Sequence, residues 1–114
     1  MAPLRNAAQA IIEPGKLRGY LLSRTHPVGR FKAIFFRSLG YSVSRWQLLE
    51  IDLRKHLVAN EPESEEVTAH GRKFVVRGRI EGPSGRSAEL VTVWIILAGE
   101  EVPQFVTAYP GGSR

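Results

Sequence analysis

His26 is the residue best suited to chemistry in this 114-residue chain. It lies in Ser23-Arg24-Thr25-His26-Pro27-Val28-Gly29-Arg30-Phe31-Lys32-Ala33-Ile34-Phe35-Phe36, with three cations and three aromatics. Histidine titrates near neutrality and suits proton transfer. Thr25-His26-Pro27 reads as a helix start, where free backbone N–H groups and the helix dipole attract an anion. A phosphate docked there would meet His26, with Arg30 one turn on. Lys32 lies about 200° round from Arg30 on an ideal helix, so the helix alone cannot converge all three. The plainer role for His26 is to cap the helix.

Thr107 and Tyr109 share a face of a predicted strand, and their hydroxyls could donate to a phosphate or a developing oxyanion. With His26, Arg30 and Lys32 they form a candidate catalytic set. This set suits metal-independent RNA cleavage, in which the substrate's 2′-hydroxyl attacks and cations steady the phosphorane. Lys16, Arg18, Arg24, Arg72 and Arg77 are candidate nucleic-acid contacts. His70 could join a patch with Arg72 and Arg77, or simply be solvated. His56 reads as structural, a cation near a helix C-terminus.

Other chemistries lack their motifs. There is no cysteine, one aspartate (Asp52), and no His-x-Glu or His-Glu-x-x-His pair. Walker, G-x-G-x-x-G and Gly-x-Ser-x-Gly patterns are absent as well. No metal or cofactor is expected.

Charge is uneven. The chain carries +5 overall, with +7 in residues 1–60 and −2 in residues 61–114. Pro14 to Leu49 holds seven cations and no anion. Such a field attracts polyanions. RNA and a small acidic protein are the expected partners, and a solvated helical surface is the plain alternative. No run approaches the roughly 20 apolar residues of a membrane span. Absence of cysteine fits a reducing cytoplasm.

The elements that must position these residues read as follows. Residues 1–8 form a loose N-terminus, Gln9–Ile12 a short edge strand, and Lys16–Ser23 a short helix with Leu17, Tyr20 and Leu21 on one face. A second helix begins with Pro27 in its first turn, buries Val28, Phe31, Ile34, Phe35 and Leu39, and stops at Gly40. Ser44 and Gln47 make a capping box for a third helix, with Trp46, Leu49, Leu53 and Leu57 buried. Residues 61–66 are an acidic loop.

Beyond that loop the period changes to two. Phe74, Val76 and Ile80 face one side and Val75, Arg77 and Arg79 the other. Gly82-Pro83-Ser84-Gly85 makes a hairpin turn, Leu90–Leu97 is a central strand, and Gln104–Tyr109 follows. Residues 111–114 form a tail. Trp94 and Phe105 read as core. The expectation is one α+β domain over residues 1–114, with about three helices packed on a three- to four-stranded antiparallel meander.

Several pieces resemble a small uncharacterised bacterial family. They include His26-Pro27-Val28-Gly29-Arg30, Gly82-Pro83…Gly85-Arg86, Val93-Trp94 and Val106-Thr107-Ala108-Tyr109-Pro110. The resemblance spans Ile11 to Pro110 and implies association with toxin–antitoxin gene pairs. The element order is also similar to that of the barnase–EndoU–colicin–RelE ribonucleases. That is a likeness of fold, and no motif of that group carries over. Two readings are open: a toxin-like, metal-independent ribonuclease, or a non-catalytic module that binds protein or nucleic acid. A small-molecule enzyme is a third.

Overall fold

The computed structural model describes residues 4–111, with the side chain of Phe31 left out. Residues 1–3 of the expected loose terminus, 112–114 of the tail and the Phe31 side chain lie outside that description. Helices precede strands in an α+β order. A turn over Pro14–Lys16 continues as a π-helical Leu17–Leu21, together called α1. α2 is Gly29–Ser38 and α3 is Trp46–Ala59. Four strands follow: β1 Ser64–Val67, β2 Gly71–Glu81, β3 Ser87–Leu97 and β4 Gln104–Pro110. They pair antiparallel in the order β1-β2-β3-β4.

The core lies between the helices and one face of the sheet. Phe74, Val76 and Ile80 of β2 meet Leu90, Trp94 and Ile96 of β3 and Phe105 and Ala108 of β4. Leu49, Leu53 and Leu57 of α3 cover them and are fully buried, worth about 1.5–3 kcal/mol each. Trp46 is half-buried at the core's margin.

Several expectations change. Leu4 and Ala7 are buried in the core, so residues 4–8 are anchored rather than loose; apolar burial beats local chain freedom. Gln9–Ile12 is not a strand. A 3₁₀ turn occupies Ala7–Gln9, and Ile11 makes an isolated parallel bridge to Gln104. The fourth strand is β1, which overlaps the end of the segment read as an acidic loop. All four of its residues are exposed, so its sequence has no apolar alternation, and its glutamates suit a sheet edge.

The buried stripe of α2 is also shifted. Gly29, Ala33, Phe36 and Leu39 are buried, whereas Val28 and Ile34 are 55% and 64% exposed. Gly29 explains this: a Cβ there would sit 2.0 Å from the Tyr20 carbonyl oxygen. The face with the smallest residues approaches α1, and larger apolar groups turn outward. Gly40, with φ of 101°, ends the helix as expected. The capping box is absent. Ser44 lies inside a 3₁₀ turn over Val43–Arg45, with its hydroxyl 3.2 Å from that of Ser42.

Candidate functional site

Residues 29, 32, 33 and 36 share one face of a helix. Lys32 therefore points inward beside Gly29, toward α1. Its Nζ donates to the Tyr20 hydroxyl and to Thr107 Oγ1, both at 2.8 Å. The two hydroxyls lie 3.3 Å apart. The same ammonium stands 5.1 Å from the centroid of the Tyr20 ring and 5.8 Å from that of Tyr109.

The strand end reaches this point through a bulge. Val93 pairs with Thr107, yet Trp94 pairs with Phe105, which leaves Val106 as the extra residue. Without it, residues 105, 107 and 109 would share one face. With it, Phe105 enters the core, while Thr107 and Tyr109 stand on the opposite face beside Val93 and Val91. Lys16 Nζ donates to the Val106 carbonyl at 3.3 Å, adding a second cation at the bulge.

His26 has a defined place. Its Nδ1 accepts from the backbone N–H groups of Val28 (3.0 Å) and Gly29 (2.9 Å). An accepting Nδ1 requires the neutral tautomer with its proton on Nε2. His26 thus caps α2, which starts at Gly29 rather than at Pro27. It is not a free base in this state. Its ring meets the Tyr20 ring edge-on, with centroids 5.0 Å apart. The Ser23 hydroxyl accepts from the N–H of Thr25 and of His26 and so holds the turn.

Tyr20 is the residue that sequence reasoning missed as a site member. Burial raises its phenol pKa. The hydrogen bonds from Lys32 and Thr107 and the charges of Lys32 and Lys16 outweigh burial, and the net value is below the ordinary 10.0. The available signal was Lys16, four residues earlier on the same helix face.

The structure brings together four of the five candidate catalytic residues: His26, Lys32, Thr107 and Tyr109. Arg30 does not join them. It lies about 200° from Lys32 on α2, with its N–H on the His26 carbonyl. Among the candidate nucleic-acid contacts, Lys16 is at the cluster, and Arg18 and Arg24 are exposed in and after α1. Arg72 and Arg77 are not uncommitted cations. Arg72 pairs with Glu65 (3.4 Å). Arg77 pairs with Glu63 (3.2 Å), approaches Glu89 (3.9 Å) and donates to the Gly111 carbonyl. β1 brings Glu65 alongside, Glu63 stands just before that strand, and β3 brings Glu89. His70 is exposed in the β1–β2 turn.

His56 is structural, but not as a cation on the helix dipole. It is 3% exposed, its Nε2 donates to the Leu90 carbonyl at 3.2 Å, and its Nδ1 lies 3.3 Å from Thr92 Oγ1. Trp94 Nε1 donates to that same hydroxyl at 2.8 Å. Burial holds the His56 pKa below the ordinary value. No described helix is long and apolar enough to cross a membrane, and among the described residues no three His, Asp or Glu side chains gather as metal ligands.

The pairing of a lysine with two hydroxyls at the junction of helix and strand edge can hold an anion and exchange protons. Residues 3–112 match the model of a domain of unknown function, DUF6883. None of the curated proteins matches the chain in sequence. Among solved structures, it is similar to a chain of the contact-dependent growth inhibition toxin–immunity protein complex from Klebsiella pneumoniae 342. The TM-score is 0.69 at 16% identity, covering 96% of this chain and 99% of that chain. At that identity the likeness is one of fold.

Proposed function

Because the chain belongs to the DUF6883 family, whose function is unassigned, we propose a function from its own site: a toxin-like, metal-independent endoribonuclease. One observation carries this reading. Lys32 Nζ bonds both Tyr20 and Thr107 at 2.8 Å, which makes a donor cluster with a phenol that ionises more readily than usual.

The phenolate of Tyr20 takes the proton of the 2′-hydroxyl, and O2′ attacks the phosphorus. The P–O5′ bond breaks, and O5′ takes a proton from the Lys32 ammonium. Tyr20 then returns its proton to Lys32 across their shared hydrogen bond, which restores the starting state. The products are a 2′,3′-cyclic phosphate and a 5′-hydroxyl. Thr107 donates to the charge that builds on the phosphorane, and Lys16 adds its field. His26 is a positioning residue that caps α2 and holds the Tyr20 ring.

The basic front half of the chain draws RNA toward the site. The toxin–immunity neighbour supports a toxin-related setting and a protein partner, and the basic front half of the chain would suit a small acidic one. The test is incubation of purified protein with single-stranded RNA in a chelator. Cleavage to cyclic-phosphate ends is expected, and it should be lost in Lys32→Ala and Tyr20→Phe. Cleavage unchanged in both variants, or no cleavage at all, overturns the reading.

A second reading is favoured by one observation: His26 Nδ1 is committed to two backbone N–H groups. It makes the domain a non-catalytic RNA- or protein-binding module. Tight RNA binding without any cleavage would select it.

A further inference from the structure

Tyr109 entered as a hydroxyl, but its surroundings single out the ring. Tyr109 is 39% exposed, among the large apolar residues at the surface. Lys32 stands near both rings, 5.1 Å from the Tyr20 centroid and 5.8 Å from that of Tyr109, but the Tyr20 ring also takes the His26 edge and Tyr20 is only half-exposed. Tyr109 also has a firm base. It pairs across the ladder with Val91, which is 1% exposed, and the residues after it are tied down. Gly111 N–H donates to the Glu89 carbonyl at 2.9 Å, and Arg77 donates to the Gly111 carbonyl at 3.1 Å. A rigid aromatic offers contact area at little conformational cost.

Its position relative to the donors is also telling. Lys32 Nζ is 2.8 Å from Thr107 Oγ1 and 5.8 Å from the Tyr109 ring centroid. Thr107 and Tyr109 are two residues apart on one strand face, about 7 Å along it. That is a separation on the scale of a phosphate and an adjoining base. A phosphate held at Lys32 and Thr107 therefore has the aromatic ring of an exposed residue within one nucleotide. Every base can stack on such a ring whatever its sequence.

Resting on the RNA-facing reading of this site, we propose that the Tyr109 ring is a stacking platform for the base next to the scissile phosphate, and that the substrate is therefore single-stranded RNA. In an A-form duplex the base faces are covered by their neighbours, and only an unstacked strand can lay one on a protein ring. The phenolic oxygen takes no part.

The experiment measures binding, so that it stands apart from cleavage. The probe is a 2′-O-methyl single-stranded hexanucleotide, which lacks the nucleophile and survives in the wild-type protein's site. Tyr109→Phe is expected to bind as wild type does, and Tyr109→Ala about 5- to 150-fold more weakly. The same sequence annealed as a duplex is expected to bind as weakly as Tyr109→Ala binds the single strand. Thermal melting confirms that each variant folds, and Tyr109→Phe keeps the ring if the alanine variant fails. The proposal is overturned if Tyr109→Ala binds as tightly as wild type, if Tyr109→Phe is as weak as the alanine variant, or if the duplex binds as well as the single strand. Binding that needs the ring in a protein that never cuts RNA would overturn the ribonuclease reading and leave the platform standing. Cleavage with an unchanged KM in Tyr109→Ala would do the reverse.

Discussion

Tyr20 and Lys32 share one hydrogen bond of 2.8 Å, which helps hold the Tyr20 phenol below its ordinary pKa. In the proposed mechanism the phenolate is the base, so cleavage should rise with pH. Because the phenol ionises below its ordinary value of 10.0, the midpoint of the rising limb should fall below that pH. Initial rates across the alkaline range will show this, and Tyr20→Phe should remove the limb and cost about 10²–10⁴-fold. His26 answers to a different measurement. Removing the acceptor of two helix N–H groups in His26→Ala should cost about 0.5–2 kcal/mol of stability. His26→Asn, which can accept the same donors, should recover most of it in a urea titration. A catalytic base would not be replaced by asparagine, so full activity in His26→Asn would separate the positioning role from a proton-transfer role.

Among the elements, α2 and β4 set the geometry, each through one small detail. Gly29 lets α2 approach α1 until a Cβ would overlap the Tyr20 carbonyl. Gly29→Ala should cost about 1–3 kcal/mol and, by pushing Lys32 from Tyr20, return the tyrosine's titration toward its ordinary value. An absorbance titration of the phenol would report it.

The order of helices and strands, the core faces of α3 and β2, and the turns at Gly40 and Gly82–Gly85 were legible in the sequence, because each follows from periodicity or from backbone chemistry at a single residue. The face of α2 was not, since apolar content pointed at Val28 and Ile34 while the space left by Gly29 decided otherwise. β1 was invisible because an edge strand is held by backbone bonds that leave no apolar pattern. The convergence of Lys32 with Thr107 was equally hidden. A contact across 75 residues is a product of topology, and strand alternation alone gives no sign of a bulge at Val106.

At the scale of the whole molecule, charge and burial act together. His56 is buried on the inner face of α3 and stays neutral. Burial lowers its pKa against hydrogen bonds to Leu90 and Gly78 and the charge of Glu89, which raise it. The unfolded chain takes up a proton near the ordinary 6.5 and the folded chain does not. The unfolded state then binds more protons, so this contribution is complete above that pH and declines as the pH falls through it. The urea midpoint should drop between about pH 7.5 and about pH 5.5, and a flat midpoint would contradict the neutral, buried histidine.

The site joins Lys16, Tyr20 and Lys32 to β4, and the bond from Lys16 to Val106 crosses 90 residues of chain. During synthesis, the first three leave the ribosome long before β4 is made. A nascent chain that lacks β4 holds no donor pair and no ring platform, however well its helices have formed. A ribosome making this protein meets only an incomplete site until residues 104–110 have emerged and paired with β3. The same arithmetic makes the segment around residues 61–63 a natural place to divide the chain into two inert halves, which would regain the site only on reassociation.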